Sequence, residues 1–325
     1  MNVTATRRTV LLQIGVSLAA LAAVVWWASR QRLPALPDPG HAARTLVVAI
    51  GLYALATLAR GERWHRVLGL VGARSRRADA YSLTAVGYMG NNTLPARAGD
   101  LLKSVLTARR TGLSTPEVLG AAVAERVLDA ATLGGIFLVL GGLVLTDAGL
   151  PAVHAVLAVL AGLAALALAA VALPRVRRGH PRLQRAVELA IALLRPSRAL
   201  LSPTGAWLLL GTVLIWVLEA TVYATVAEAV ELPLRGLDAL YLVALTNLVA
   251  LVPAAPGYVG TFDAAVLFGV RALTGGVGGA TYVLALRLVL FLPVTLVGLA
   301  LLFVRHGGLA TLRAVRSRQF RAETA

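Results

Sequence analysis

The chain has 325 residues, a mean hydropathy of +0.79, 58% hydrophobic and 14% charged residues, and a formal charge of +16. Length alone would suggest about two soluble domains, but apolar runs recur from end to end, which excludes a soluble class and predicts an all-α, polytopic helical integral membrane protein. In a soluble protein the basic excess would point to nucleic acid; in a membrane protein Lys and Arg gather on the cytoplasmic side and beside anionic headgroups, so no nucleic-acid partner is expected.

Arg7 and Arg8 precede the first apolar run, Val10 to Ser29. It carries Trp26 and Trp27 at its far end and lacks a small-x-small cleavage site, so it reads as a retained span rather than a leader. Pro34, Pro37 and Pro39 forbid helix interior in the loop that follows. Thr45 to Ala59 is a shorter run that crosses if its helix extends back into that loop. From Arg60 to Arg77, Trp64, Val67, Leu68 and Val71 recur at three-to-four spacing among six arginines. That is the pattern of an amphipathic helix lying on an anionic membrane face.

Tyr81 to Arg110 is apolar but interrupted at Pro95 and Gly99, and Pro116 to Leu145 is the next full span. After a turn at Asp147, Gly149 and Pro151 comes the span Ala152 to Leu173, then a loop from Pro174 to Arg198 with seven arginines. Thr204 to Val230 crosses again. Asp238 to Leu273 is a second broken stretch, with Pro253, Pro256, Gly257 and Gly260 in its middle. Ala280 to Val304 is the last span, and a basic tail follows.

The distribution of charge selects a topology. If the two broken stretches are re-entrant hairpins, 81–110 from the cytoplasmic side and 238–273 from the outer side, about six full spans remain and both termini are cytoplasmic. Cytoplasmic segments then hold 24 of the 31 basic residues and outer loops hold four. This is the orientation of a multi-pass protein of a bacterial-type cytoplasmic (inner) membrane. It divides the chain into a first membrane half, 1–148, a second, 149–304, and a cytoplasmic tail, 305–325. Each half has two spans, a hairpin and a span, which makes the halves an inverted repeat. Pro95-x-x-x-Gly99 after Tyr81 matches Pro253-x-x-x-Gly257 after Tyr241. Broken helices that meet near the midplane are a transporter arrangement.

Charges inside such segments are costly and need a pairing or functional reason. Asn91, Asn92, Pro95 and Gly99 predict the wall of a polar cavity, because lipid cannot satisfy a broken backbone; the alternative is that the amides only cap helix ends. Arg97 and Asp100 follow the break, with Lys103 one turn on. Arg97 is placed to bind a phosphate near a helix start, or else to pair with Asp100. Glu125, Arg126 and Asp129 sit at helical spacing, with Arg126 about 13 Å along the helix from Glu117. They form one polar patch whose second carboxylate is left for a proton, a cation or a basic partner such as Arg287; the alternative is a network that only fixes packing. Asn247, Tyr258, Thr261, Asp263 and Arg271 line the second broken stretch, and Glu219 and Arg287 lie within spans.

Cysteine is absent, and the five histidines (His41, His65, His154, His180, His306) have no ligand spacing. Neither a metal nor another cofactor is expected. No nucleophile-base pair or phosphate-binding glycine loop is visible, so the chain is not expected to be an enzyme.

NNTLPARAGD (91–100), the basic RRTGLS after it, ERVLD (125–129) and VPAAPGYVGTFD (252–263) together resemble the lysylphosphatidylglycerol synthase transmembrane-region family, also called the YbhN-like group. In that family the region is the lipid-flipping part of the multiple peptide resistance factor, to which a soluble aminoacyltransferase domain is attached. The resemblance implies translocation or a stand-alone relative rather than synthesis, since the chain stops about 20 residues after its last span. It also implies that Asn92, Pro95, Arg97, Gly99, Asp100, Glu125, Arg126, Asp129, Pro256, Gly257, Gly260 and Asp263 are motif positions, Asp263 standing where Glu or Gln is more usual. The expectation is a flippase for an anionic or lipid-linked headgroup bound by Arg97, Arg126 and Arg287. The alternatives are a membrane enzyme or an accessory subunit acting on lipid or polyprenyl phosphates in envelope biogenesis. Helices rich in Gly and Ala suit a homo-oligomer.

Overall fold

A computed structural model describes residues 38–94, 97–144, 193, 196–197, 200–234, 236–250, 255–275 and 279–308. The expected spans 10–29 and 152–173, nearly all of the 174–198 loop, the tail beyond 308, and Pro95 and Pro253 lie outside these residues. Every regular element among the described residues is a helix.

Helix α1 (Pro39–Leu70) does extend back into the proline loop. The Asp38 carboxylate accepts from the N–H groups of Gly40 at 2.9 Å and His41 at 3.0 Å, and Pro39 stands at the first helical position, where its missing N–H costs nothing. With 32 residues, α1 is about 48 Å long, against a hydrocarbon core of about 30 Å. The amphipathic surface helix expected at 60–77 does not exist: α1 runs straight through Arg60 to Leu70. Its buried stripe of Ala42, Ala49, Tyr53 and Ala56 continues at the same spacing into Arg60, Arg63, Trp64 and Val67. Trp64 and Val67 are fully buried with Ala121, Ala124 and Leu128. The apolar residues there face protein, and two of the arginines go inward with them.

Helices α2 (Arg77–Thr93) and α3 (Ala98–Thr111) pack on each other along the first broken stretch. They approach closely enough that a Cβ on Gly99 would overlap the Gly87 carbonyl, which only glycine permits. Gly112, at φ 75°, ends α3. At the start of helix α4 (Thr115–Val144), Glu117 accepts from the Ser114 N–H at 2.9 Å and from its hydroxyl at 2.7 Å. Helix α5 (Pro203–Ala229) is a long apolar helix capped by Ser202.

The second broken stretch is α6 (Gly236–Val249), a 3-10 turn (Pro256–Tyr258) and α7 (Thr261–Thr274). The last span divides into α8 (Gly279–Leu290) and α9 (Leu292–His306), interrupted at Phe291 just before Pro293.

Helix α1 packs along α5, α2 along α3 and α9, and α6 along α4, α5 and α7. Residues of α1 and of α4 to α9 share one core, in which Phe137 of α4 stacks on Tyr241 of α6 with ring centroids 5.4 Å apart. Outward faces are apolar: Val47 and Val48 on α1, Leu214 on α5, and Leu296 and Val304 on α9 are all exposed. Pro39–Leu70, Pro203–Ala229 and Gly279–His306 are long and apolar enough to cross a membrane, so the chain is a multi-pass membrane protein.

Candidate functional site

The first break is held shut by its own side chains. Asn91, at the end of α2, donates to the Asp100 carboxylate at 3.2 Å and accepts from the Asp100 backbone N–H at 3.2 Å. This amide therefore caps α3 from across the gap, the alternative raised above for such residues, while also lining a cavity. Asn92 faces the other way, donating to the Thr295 hydroxyl at 2.8 Å where α9 leaves its kink. Arg97 has a left-handed backbone, φ 55° and ψ 32°, which costs a non-glycine residue about 1 to 2 kcal/mol. Its side chain donates to the Ala250 carbonyl at 2.5 Å, at the end of α6, and lies over the Tyr258 ring at 5.7 Å. Gly257, also left-handed at φ 62°, packs against the Asn92 carbonyl. Thus the two breaks touch.

Beneath them lies a chain of buried charge. Arg63 of α1 donates to both Asp129 oxygens, at 2.6 and 3.2 Å, and to the Thr212 hydroxyl at 3.2 Å; its Nε lies 3.5 Å from Glu125. Lys103 of α3 donates to Glu125 at 2.7 Å and sits over the Trp64 ring, 3.7 Å from its centroid. Arg126 bridges Asp129 at 3.2 Å and Asp100 at 3.3 Å. Arg60 pairs with Glu219 of α5, whose other oxygen accepts from Asn247 of α6 at 3.3 Å. Aromatic rings of Trp216, Tyr88 and Tyr53 surround that guanidinium. Arg60, Arg63, Lys103, Glu125, Asp129 and Glu219 are all buried. At such depth each charge requires its partners, because desolvation of an ion costs several kcal/mol.

The second break repeats part of this design. Asp263, in the first turn of α7, accepts from the Gly260 N–H at 2.9 Å and forms a two-pronged pair with Arg287 of α8, at 2.6 and 2.8 Å. Arg287 also donates to the Gly257 carbonyl at 3.2 Å and packs over Phe262 and Phe291. At both breaks, then, a carboxylate in the first turn after the break is tied to an arginine of the next helix: Asp100 to Arg126, and Asp263 to Arg287.

Where the breaks meet there is a cavity of about 80 Å³, lined among others by Tyr88, Asn92, Arg97, Trp216, Glu219 and Tyr258. A narrower one of about 10 Å³ lies among Arg60, Arg63, Lys103 and Glu125. Tyr88, Asn91 and Arg126 line both, so the two cavities adjoin across these side chains and make a two-part chamber beside the charge chain. Among the described residues no group of three or more His, Cys, Asp or Glu is placed to hold a metal ion.

The geometry gathers Asn91, Asn92, Arg97, Asp100, Glu125, Arg126 and Asp129 around this chamber; Asp263 and Arg287 line neither cavity, Arg287 packing behind the wall residues Phe262 and Phe291. Arg271 is not brought there; it is exposed in the last turn of α7. Glu125 is matched by Lys103 and Arg63 rather than by Arg287, which Asp263 occupies. Pro256, Gly257 and Gly260 form the second break, and Gly99 the contact of the first. Sequence reasoning missed Arg60 and Arg63 as site residues. The signal was present: both continue the small-residue stripe of α1, and Glu219, alone in an otherwise uncharged stretch of helix, requires a cation.

Over residues 10–298 the chain matches the family described as Lysylphosphatidylglycerol synthase TM region. It is also similar to Glycosyltransferase AglD of Haloferax volcanii, 30% identical over 109 residues, which are 33% of this chain and 18% of that protein. The chain thus aligns with under a fifth of that relative's length. No solved structure matches it.

Proposed function

The chain belongs to the lysylphosphatidylglycerol synthase TM region family, and from that premise we propose that it moves the headgroup of an anionic or lipid-linked phosphate lipid between leaflets. The observation that carries this reading is the chamber where the two breaks meet, lined by buried arginines and carboxylates and by amides and tyrosines. Purely structural helix packing would be served as well or better by apolar side chains. A polar route through protein suits a molecule whose head must avoid hydrocarbon while its chains stay in it.

In this reading the hairpins α2–α3 and α6–α7 are re-entrant from opposite faces of a cytoplasmic membrane, with both termini cytoplasmic, and the halves are inverted repeats. The tips alternately part on one side and then the other. Arg97, Arg126 and Arg287 hold the headgroup in turn, their carboxylate partners being exchanged for phosphate oxygens. Asn91 and Asn92 keep the broken backbone satisfied while this happens. The chain needs no catalytic group for it, and its partners are membrane lipids and a second copy of itself.

The test is reconstitution of the full chain into liposomes with fluorescent lipids. Redistribution between leaflets without ATP, lost in Arg126→Ala and Asp129→Ala proteins that still fold, is the expected result; wild-type liposomes that match protein-free ones would refute it. Similarity to a protein named a glycosyltransferase favours a second reading, an enzyme or accessory subunit acting on polyprenyl phosphates. Formation of a glycosylated lipid product in the same liposomes would select it.

A further inference from the structure

We infer that the chamber is built for one net negative charge, so that its ligand is a phosphodiester lipid with an otherwise uncharged head, in preference to a diphosphate or a zwitterion. This rests on the reading of the chamber as a headgroup site and adds the substrate class.

The argument is a balance of formal charge. Five cations (Arg60, Arg63, Arg97, Lys103, Arg126) and four carboxylates (Asp100, Glu125, Asp129, Glu219) line the two adjoining cavities. Among the described residues the chamber therefore carries an excess of +1, and the adjoining Arg287–Asp263 pair is neutral. Pairing identifies where the excess lies. Arg60 has Glu219, Arg63 has Asp129, Lys103 has Glu125 and Arg126 has Asp100 as a partner. Arg97 is left with a 3.6 Å approach to Asp100, which Arg126 and Asn91 already engage more closely, and with the neutral carbonyl of Ala250.

A second observation points the same way. Arg60 Nη1 is buried and has no hydrogen-bond acceptor among the described residues, although Arg60 lines the narrower cavity. A buried guanidinium N–H without an acceptor is costly and is satisfied by an anionic oxygen arriving in that space. Trp216 Nε1, on the wall of the wider cavity, is likewise unsatisfied among the described residues. One phosphodiester supplies two non-ester oxygens and a single charge. It would neutralise Arg97 while its oxygens reach for these donors. A diphosphate brings at least one charge beyond the excess, and a zwitterion leaves the excess unmatched; both put uncompensated charge in a low-dielectric site.

The experiment is equilibrium binding by calorimetry to the full chain in detergent. The probes are dioctanoylphosphatidylglycerol, dioctanoylphosphatidylcholine, farnesyl diphosphate and the chain-free headgroup glycerophosphoglycerol. The phosphatidylglycerol is expected to bind at least tenfold more tightly than the phosphatidylcholine or the diphosphate. Tighter binding of the lipid than of the chain-free headgroup assigns the site to lipid; equal binding assigns it to a soluble phosphodiester and overturns the lipid assignment. Arg97→Gln and the isosteric Asn92→Asp each bring the chamber to zero net charge. Each should lower phosphatidylglycerol affinity at least tenfold, with melting temperature used to confirm folding. Equal or tighter binding of the diphosphate, or an unchanged preference in both folded variants, overturns the inference. Liposomes that show no flipping while this preference holds would count against translocation alone.

Discussion

Arg63 grips Asp129 through both terminal nitrogens, at 2.6 and 3.2 Å, although 66 positions separate the two residues in sequence. The pair joins α1 to α4 at a buried point, where neither side chain has water to fall back on. Replacing Arg63 with Gln leaves Asp129 sharing only Arg126 and removes a cation from one side of Glu125. Breaking a buried pair from one side costs about 3 to 5 kcal/mol. We expect Arg63→Gln to lower the melting temperature in detergent markedly. The double change Arg63→Leu with Asp129→Leu, which strands no partner of that pair, should recover much of the loss. A single variant as stable as wild type would mean that the pair is not buried as described.

Gly99 gives a steric prediction. A Cβ there would overlap the Gly87 carbonyl oxygen and the Asn91 nitrogen, both backbone atoms that cannot swing aside. Gly99→Ala should force α2 from α3, break the Asn91–Asp100 clamp and abolish the proposed translocation. Gly135→Ala is the control, since nothing lies within 4 Å of its added carbon and alanine favours helix by up to about 1 kcal/mol. The expected result is a large loss of thermal stability for the first and none for the second.

These two sites also show what was legible in the sequence. Gly99 and the Pro256-Gly257 break stood out because proline and glycine interrupt a helix that an apolar stretch in lipid would otherwise complete, and α5 announced itself by 27 residues without a basic side chain. Arg60 and Arg63 were hidden by their neighbours: Arg66, Arg74, Arg76 and Arg77 make the whole stretch look like a surface. Only the stripe inherited from Ala49, Tyr53 and Ala56 separates the inward arginines from the outward ones. Arg271 misled in the opposite sense, since its place near a break says nothing about which face of α7 it takes. Ion partners 66 or 159 positions apart, such as Arg60 and Glu219, are set by packing of α1 on α4 and α5, which no local pattern encodes.

A cysteine-free chain makes cross-linking clean. Asn92 and Thr295 touch at 2.8 Å and join the first break to the kink between α8 and α9. If the hairpin tips must part for a headgroup to pass, an Asn92→Cys, Thr295→Cys protein should transport normally when reduced. Oxidation should suppress it at least tenfold, and reductant should restore it. Full transport by the oxidised, cross-linked protein would show that this contact stays closed throughout the cycle.

The opposed entry of the two hairpins can be decided by labelling from one side. Each hairpin has two exposed ends: Arg76 and Arg109 beside α2 and α3, and Leu237 and Arg271 on α6 and α7. If α2–α3 returns to the face it came from, both of its ends lie on the same side of the membrane, and the same holds for α6–α7 on the other side. Single cysteines at Leu237 and Arg271 should then react with a membrane-impermeant maleimide added outside intact spheroplasts. Cysteines at Arg76 and Arg109 should react only after permeabilisation. A simple crossing would instead split one hairpin's ends between the two conditions, and every downstream segment would change sides with it. Because the basic residues are so unevenly distributed along the chain, such a split would also place arginine-rich segments on the outer face, against the tendency of Lys and Arg to remain inside.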